Sequence, residues 1–161
     1  MKFSGTVFKY GNDVNTDVIF PGRYLKVWEP TEMAKYAMED IDKEFAKKVK
    51  RGDILVAGKY FGCGSSREQA ATCLKAAGIS VVIAEGFARI FYRNAINLGL
   101  AIMACPGITA IANAGDRLEV EPTTGEVKNL TSGKTAKAKV LPPFILDILN
   151  DGGLIPHLKK S

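Results

Sequence analysis

The sequence predicts an α/β fold with a central, largely parallel sheet, flanking helices and a smaller β-rich C-terminal part. Apolar, β-branched runs of strand length alternate with longer stretches of helical spacing, as in β-α-β units. After residue 115 the pattern changes to short strands separated by Gly-containing turns. Because 161 residues suit one hydrophobic core, we expect residues 1–161 to form a single domain.

The N-terminal third is predicted to contain a strand, a long polar loop and a helix. "GTVFKYG" alternates as a strand does, whereas "NDVNTDVIFPGRYL" is rich in Asn and Asp and contains Pro21-Gly22. That composition predicts a loop with a short strand at 18–20. "EPTEMAKYAMEDIDKEFAKKV" has apolar residues at helical spacing from Met33 onward, and Thr31 is the expected N-cap.

Three core strands and two helices are predicted to follow. The strands are "ILVAGKYF", "ISVVIAEG" and "LAIMACP", whose continuous apolar character is typical of strands buried on both faces. The helices are "SSREQAATCLKAAG", which ends at Gly78, and "FARIFYRNAINLG". Further on, turns at 124–125 and 132–133 separate short strands, and "PPFILDILNDGG" predicts a closing helix.

The charge pattern bears on the class of partner. The net charge is +5 and the isoelectric point is near 9.1, which makes nucleic-acid binding a hypothesis to consider. Acidic residues interleave with the basic ones, as in "EDIDKEFAKKVKRGD", so a solvated surface that favours anionic substrates or an acidic partner is the better interpretation. No run of apolar residues is long enough to cross a membrane, and the N-terminus becomes polar too early for a signal peptide. We therefore expect a cytoplasmic protein that binds neither nucleic acid nor membrane.

The cysteines indicate no metal site formed by this chain alone. Cys63, Cys73 and Cys105 are an odd number without C-x-x-C spacing, and His157 is the only histidine. Three cysteines could in principle hold three irons of an iron–sulfur cluster. Cys73, however, lies inside a helical apolar pattern, where a small buried residue is expected.

The stretch "GCGSSREQA", residues 62–70, concentrates chemistry at one strand-to-helix corner. A helix that starts near Ser65 would present free N–H groups and the positive end of its dipole, which favour an anion. Gly62 and Gly64 allow a sharp turn and close approach of a ligand. Arg67 adds a planar, permanently charged group suited to a carboxylate. The alternative is that Ser65 merely caps the helix.

Two further polar segments accompany this corner: 15–17 ("NTD") with Arg23, and 89–97 ("RIFYRNAIN"). In a parallel α/β sheet, ligands bind at the carboxyl ends of the strands, and the corner and the second segment follow such ends. The phosphate-binding patterns G-x-x-x-x-G-K-[ST] and G-x-G-x-x-G are absent, as is the serine-hydrolase pattern G-x-S-x-G.

Three segments together resemble, in order and over about residues 3–155, the swivel domain of the aconitase superfamily. They are "NTD" with "PGRYL", then "GDILVAGKYFGCGSSREQA", then "FARIFYRNAINLGL". Length and coverage are similar to those of the free-standing small subunits of 3-isopropylmalate dehydratase. The resemblance implies a swivel-type β/β/α domain of a lyase that interconverts 2-isopropylmalate and 3-isopropylmalate by dehydration and rehydration, in leucine biosynthesis within branched-chain amino acid biosynthesis. It implies a hydro-lyase that is active only with a large subunit, as a heterodimer or a dimer of heterodimers.

The resemblance also implies where the cofactor lies and which residues act. A [4Fe–4S] cluster is expected on the large subunit and none on this chain. Ser65 corresponds to the catalytic base, Ser66 to its supporting hydroxyl and Arg67 to the ligand of the substrate carboxylate. Thr16 and Asp17 fall on positions near the substrate. Because a C–H beside a carboxylate is a very weak acid, a serine alkoxide suits its removal, provided that neighbouring donors stabilise the negative charge.

The roles of the remaining polar residues and the identity of the substrate are each left with alternatives. Those of the 89–97 helix, namely Arg89, Arg93, Asn94 and Asn97, are expected to brace the corner or the subunit contact. In this family the loop Tyr24-Leu25-Lys26-Val27-Trp28 helps to select the substrate's side group; Lys26 suits a third carboxylate, whereas Val27 and Trp28 suit an alkyl group. The alternatives are therefore the small subunits of homoaconitase, methylmalate/citraconate or 2,3-dimethylmalate dehydratase, all acting on small di- or tricarboxylates. A non-catalytic anion-binding module is the alternative from a different class.

Overall fold

The architecture is a mixed sheet with helices packed against it. The computed structural model describes residues 1–160, and over that range seven strands form one sheet in the order β4-β3-β2-β1-β5-β6-β7. The strands are β1 (Phe3–Lys9), β2 (Ile54–Ala57), β3 (Val81–Ala84), β4 (Ala101–Ala104), β5 (Arg117–Glu121), β6 (Glu126–Asn129) and β7 (Thr135–Lys137).

Most helices are short, and the two longest of them follow β2 and β3. They are α1 (Thr16–Ile19), α2 (Pro30–Met33), α3 (Phe45–Lys48), α4 (Glu68–Ala77), α5 (Arg89–Asn97), α6 (Ile108–Ile111), α7 (Pro143–Asn150) and α8 (Leu154–Lys160). Single turns of 3₁₀ helix occupy Gly22–Tyr24 and Ala34–Tyr36. From residue 1 to residue 160, no helix has the length and apolar character that a membrane span requires.

The predicted parallel core is confirmed. Strands β1 to β4 pair in parallel, and every residue of β2 and β3 is buried. The crossovers through α4 and α5 cover these strands, which is why their sequences are apolar throughout rather than alternating. Both helices lead away from the carboxyl ends of their strands, so the loops before α4 and α5 lie at one edge of the sheet.

The predicted β-rich C-terminal part is also confirmed, and it continues the same sheet. Strand β5 pairs antiparallel with β1, β6 with β5, and β7 with β6. Alternate residues of β5 and β6 are buried, as expected when one face of an antiparallel sheet meets solvent. The predicted turns at 124–125 and 132–133 join these strands.

The N-terminal predictions need correction. The strand expected at 18–20 is wrong: α1 forms there because the Asn15 side chain accepts a hydrogen bond from the Val18 N–H at 2.9 Å. The single helix expected after residue 29 is broken. Helix α2 starts at Pro30 with Glu29, and not Thr31, as its N-cap. The chain leaves helical geometry at Ala37, whose ψ is 131°, and Met38 follows with a φ of +60°. Met38 is completely buried at this turn.

Two boundaries and two short helices near and beyond the core strands also differ from the prediction. Strand β2 ends at Ala57, because residues 58–60 turn away and the Gly58 N–H donates to the carbonyl of Gly11. Helix α4 begins at Glu68 rather than at Ser65, and ends at Gly78 as predicted. Helices α6 and α8 were not predicted, because four and seven residues respectively are too few for a clear helical period.

Candidate active site

The polar loop before α1 lies directly against the Gly-rich corner after β2. Asn15 and Cys63 form an isolated parallel bridge, in which the Thr16 N–H donates to the carbonyl of Cys63 at 2.8 Å. On the other side of the bridge, the Gly62 N–H donates to the carbonyl of Val14 at 2.8 Å. These backbone bonds bring the "NTD" segment and the "GCGSSR" segment together as one unit.

The first consequence is a pair of hydroxyl groups. The Oγ1 atom of Thr16 lies 3.2 Å from the Oγ atom of Ser65, and either oxygen can be the donor. Thr16 is 2% exposed, whereas Ser65 is exposed. Ser65 is therefore held from the protein side and open on the other side. Gly64 permits this approach, because a Cβ atom there would lie only 3.2 Å from the Thr16 hydroxyl.

The second consequence is a fixed guanidinium group. The Nη1 atom of Arg67 donates to the carbonyl of Phe20 at 2.8 Å and lies 2.7 Å from Oδ1 of Asp17. The Arg67 side chain is 14% exposed, whereas that of Asp17 is 69% exposed. An ion pair with so exposed a carboxylate contributes little stability, about 0–1 kcal/mol. The backbone carbonyl is therefore the durable anchor of Arg67, and Asp17 is the exchangeable partner.

Helix α5 supports the corner through an aromatic ring. Gly62 has a φ of +83°, and a Cβ atom at that position would overlap the ring of Phe91. Phe91 also packs edge-on against Phe61, with ring centroids 5.2 Å apart. No hydrogen bond or ion pair within residues 1–160 joins the side chains of Arg89, Arg93, Asn94 or Asn97 to the corner. Bracing of the corner therefore comes from Phe91 rather than from these polar side chains.

The helix that follows the corner begins later than expected. Arg67, and not Ser65, is the N-cap residue of α4, and no side chain caps this helix end. Ser65 is therefore free of a capping role. Its hydroxyl lies 3.2 Å from that of Thr16 instead.

The loop at residues 24–28 reaches the corner from one side. A cleft of about 450 Å³ is lined by the apolar side chains of Leu25, Val27, Trp28 and Met33 and, across from them, by Ser66, Glu68, Gln69 and Thr72. Lys26 is exposed and is not part of the lining. Tyr24 is turned away: its ring stacks on Tyr36 and its hydroxyl donates to Glu39 at 2.8 Å. Met33 and Thr72 lie outside the motifs, so the sequence did not indicate their position at this cleft.

The thiols of this chain do not fit the ligands of an iron–sulfur cluster. Cys73 is buried and its Sγ lies within hydrogen-bonding distance of the carbonyls of Ile19 and Ala70. Burial, together with the negative charge of Glu85, raises the pKa of the Cys105 thiol to about 11. Across residues 1–160, no three or more His, Cys, Asp or Glu side chains are grouped as metal ligands would be. The hydroxyl and guanidinium groups of the corner suit a carboxylate substrate instead.

Comparison with known protein families bears directly on this corner. A model of the aconitase C-terminal domain matches residues 10–106, a range that contains Thr16, Ser65 and Arg67. The chain belongs to the aconitase C-terminal domain family. The predicted resemblance to this superfamily is thereby confirmed.

Relatives of nearly the same length are small subunits. The chain is 58% identical to the isopropylmalate/citramalate isomerase small subunit of Methanocaldococcus jannaschii, over 98% of this chain and 94% of that protein. It is 55% identical to the 3-isopropylmalate dehydratase small subunit of Caldicellulosiruptor bescii, over 99% of this chain and 96% of that protein. The crystal structure of a 3-isopropylmalate dehydratase from Methanocaldococcus jannaschii has the same fold, with a TM-score of 0.94, 46% identity, and coverage of 99% of this chain and 95% of that one.

Proposed function

We propose that this chain is the small subunit of a two-subunit cytoplasmic hydro-lyase that interconverts 2-isopropylmalate and 3-isopropylmalate in leucine biosynthesis. It acts as one swivel-type domain over residues 1–161. The observation that carries the proposal is the hydroxyl of Ser65, held 3.2 Å from the buried hydroxyl of Thr16 at the corner that also holds Arg67. The relatives named as small subunits of 3-isopropylmalate dehydratase support it.

Ser65 acts as the base in this proposal. It removes a proton from the carbon beside a substrate carboxylate, and in the rehydration step it returns that proton at the neighbouring carbon. An alkoxide needs donors that already point at it before the reaction begins. Thr16 is such a donor, and because it is buried, water screens its interaction with Ser65 weakly. Ser66, which lines the adjacent cleft, offers a second hydroxyl on the substrate side.

Arg67 binds the substrate carboxylate. Its hydrogen bond to the carbonyl of Phe20 fixes the plane of the guanidinium group before substrate arrives. The substrate carboxylate replaces or joins Asp17, whose exposed ion pair costs little to exchange. Arg67 thereby orients the C–H bond toward Ser65, and its charge stabilises the doubly charged carboxylate that forms when the proton leaves.

The leaving hydroxyl needs a Lewis acid, and within residues 1–160 no side chains are grouped to hold a metal. A [4Fe–4S] cluster held by the large subunit supplies a Lewis acid for the substrate hydroxyl. The three thiols of this chain do not fit as its ligands, because no three or more His, Cys, Asp or Glu side chains of residues 1–160 are grouped as metal ligands would be. The task of this chain is therefore to bind the carboxylate, hold the proton and exclude water from one side.

The cleft beside Ser66 favours an alkyl side group. Leu25, Val27, Trp28 and Met33 present apolar surface there, and Lys26 is outside the lining. An isopropyl group buries well against such a surface, whereas a third carboxylate, as in a homoaconitase substrate, would find no cation in it. A methyl-substituted malate is the second candidate, because one relative is named an isopropylmalate/citramalate isomerase.

Reconstitution with a cluster-bearing large subunit tests the proposal. The complex is assayed under anaerobic conditions on malates that carry isopropyl, methyl, dimethyl or carboxyalkyl groups. We expect turnover of isopropylmalate by the complex and none by either subunit alone. Lys26→Ala is expected to retain isopropylmalate turnover, since the side chain lies outside the cleft. Binding of dicarboxylates by the isolated chain, without turnover by any complex, would instead identify a non-catalytic anion-binding module.

A further inference from the structure

A second cleft lies at the same edge of the sheet as the Ser65 corner. It has a volume of about 500 Å³ and lies at the carboxyl ends of β3 and β4, between the start of α5 and residues 139–141. Apolar and aromatic groups from Phe87, Tyr92, Val140 and Leu141 line it, and Arg89 and Lys139 are its cations. The proposed reaction uses none of these residues.

Two cations and one carboxylate give this cleft a net positive charge. Arg89 and Lys139 are exposed, and within residues 1–160 neither side chain has an ion pair or a hydrogen bond. Glu85, which also lines the cleft, is already satisfied: its carboxylate accepts hydrogen bonds from the Gly107 N–H and from the N–H and hydroxyl of Thr109. Burial alone would raise the pKa of Glu85, but these hydrogen bonds hold it below its ordinary value. Glu85 is held by these hydrogen bonds and not by the cations, so Arg89 and Lys139 are available to an anionic partner.

Helix α5 connects the cleft with the Ser65 corner. Helix α5 carries Arg89 in its first turn, at the cleft, and Phe91 beneath Gly62, at the corner. A parallel bridge between Phe61 and Phe87 joins the two sites a second time. A partner chain that extends from Ser65 along this edge of the sheet, past Phe61 and Phe87, would reach the cleft.

We propose that this cleft docks an acidic segment of the cluster-bearing large subunit. Carboxylates of that segment pair with Arg89 and Lys139, and an apolar side chain between them packs on Phe87 and Val140. The inference rests on the proposed function, because it needs the large subunit, and it adds the surface and the charge by which the two chains recognise each other. Val140, 53% exposed in this chain, becomes buried in the complex.

A larger cleft does not compete for this role. It has a volume of about 700 Å³ and includes Arg51 and Lys75, but it lies at the opposite ends of the strands, beside the start of β3. Lys75 already donates to the carbonyls of Leu98 and Gly152. The carboxyl ends of α4 and α5 meet there, and the negative ends of their dipoles disfavour an anion.

Affinity between the subunits tests the inference. The Kd of the full-length small chain for the purified large subunit is measured at two salt concentrations, for wild type, Arg89→Glu, Lys139→Glu and the control Arg51→Glu. We expect Arg89→Glu and Lys139→Glu each to weaken binding about tenfold or more and to reduce its salt dependence. Arg51→Glu makes the same change in charge at the other edge and is expected to leave Kd within about twofold. Saturating large subunit is expected to restore turnover of both cleft variants, since neither residue belongs to the proposed catalytic corner.

Three outcomes would overturn the inference. One is an unchanged Kd for both cleft variants in a complex that forms and turns over substrate, which leaves the proposed function standing. The second is saturable binding of a small dicarboxylate to the isolated chain that perturbs the Tyr92 resonances, since the cleft would then be a metabolite site. The third is self-association of wild type that Arg89→Glu abolishes, which would make the cleft a contact between copies. Failure of the wild-type chains to form any active complex would overturn the proposed function as well. Comparable melting temperatures of the variants exclude loss of folding as the cause.

Discussion

Thr16 and Ser65 are separated by 49 residues in the chain, yet their hydroxyl oxygens lie 3.2 Å apart. The Asn15–Cys63 bridge produces this contact through the backbone, so it does not depend on the two side chains themselves. Thr16 is buried beneath it and Ser65 is exposed above it. The pair therefore joins the protein interior to the surface on which the proposed substrate binds.

Replacing Thr16 by Val tests whether its hydroxyl supports the proposed base. A hydrogen bond to a charged group contributes about 1.5–3 kcal/mol, so we expect Thr16→Val to lower kcat about tenfold to a hundredfold. KM should change little, because the hydroxyl contacts Ser65 rather than the substrate. Steady-state kinetics of the reconstituted complex measure both. Thr16→Ser, which keeps the hydroxyl, is the control and should retain most of kcat; equal losses in both variants would show that packing, and not the hydroxyl, matters.

Replacing Arg67 by Lys tests the proposed carboxylate site. A lysine keeps the charge but cannot hold the Phe20 carbonyl and a carboxylate with one planar group. We expect Arg67→Lys to raise KM about tenfold or more, with a further loss in kcat from poorer orientation of the substrate. Arg23→Lys is the matched control, because Arg23 pairs with Asp40 and Glu39 away from the corner. An unchanged KM in Arg67→Lys would remove Arg67 from the substrate site.

Replacing Gly62 by Ala tests how the corner is held. The added Cβ atom would overlap the Phe91 ring in a backbone conformation with φ of +83°, so we expect a loss of about 2–4 kcal/mol in the free energy of unfolding. Gly107 is the control: its φ is +86°, but an added Cβ atom would meet nothing within 4 Å. Gly107→Ala should therefore cost only the backbone strain, about 1 kcal/mol. Denaturant unfolding measures both, and equal losses would mean that Phe91 does not constrain the corner.

The thiols provide a test based on pH. Burial, and to a smaller extent the charge of Asp13, raises the pKa of the half-buried Cys63 thiol, and Cys73 and Cys105 are buried with raised pKa values. Since the thiolate is the reactive form, a raised pKa means slow alkylation at neutral pH. We expect iodoacetamide to label Cys63 first, at a rate that climbs about tenfold per pH unit up to its pKa. Mass spectrometry with Cys63→Ser as the control measures this, and native labelling of Cys73 at a comparable rate would contradict the structure.

The sequence predicts the core well because its signals are local. Strands β2, β3 and β4 are continuous apolar runs, and helix α4 ends at Gly78, as predicted. The region from residue 12 to residue 50 was predicted poorly, since its geometry depends on tertiary contacts. The predicted helix after residue 29, for example, ends at the turn where Met38 is buried, and no local pattern predicts that burial.

At the corner, too, local features were predictable and tertiary contacts were not. The motif drew attention to Ser65 and Arg67, and the polar segment 15–17 drew attention to Thr16 and Asp17; these residues do lie together. Their functional roles remain predictions. The anchor of Arg67 could not have been predicted, because the acceptor is a backbone carbonyl, that of Phe20, which every residue possesses. The position of Phe91 beneath Gly62 depends on the packing of α5 and could not have been predicted from the sequence either.

The most direct test of the account is the turnover of Ser65→Ala in the reconstituted, cluster-loaded complex. Ser65 is exposed and only its hydroxyl contacts Thr16, so the variant should fold and bind the large subunit with unchanged Kd. We predict a loss of at least about a thousandfold in kcat, because no other base replaces the alkoxide. The neighbouring variant Ser66→Ala should lose much less. Full turnover by Ser65→Ala would contradict the assignment of Ser65 as the base.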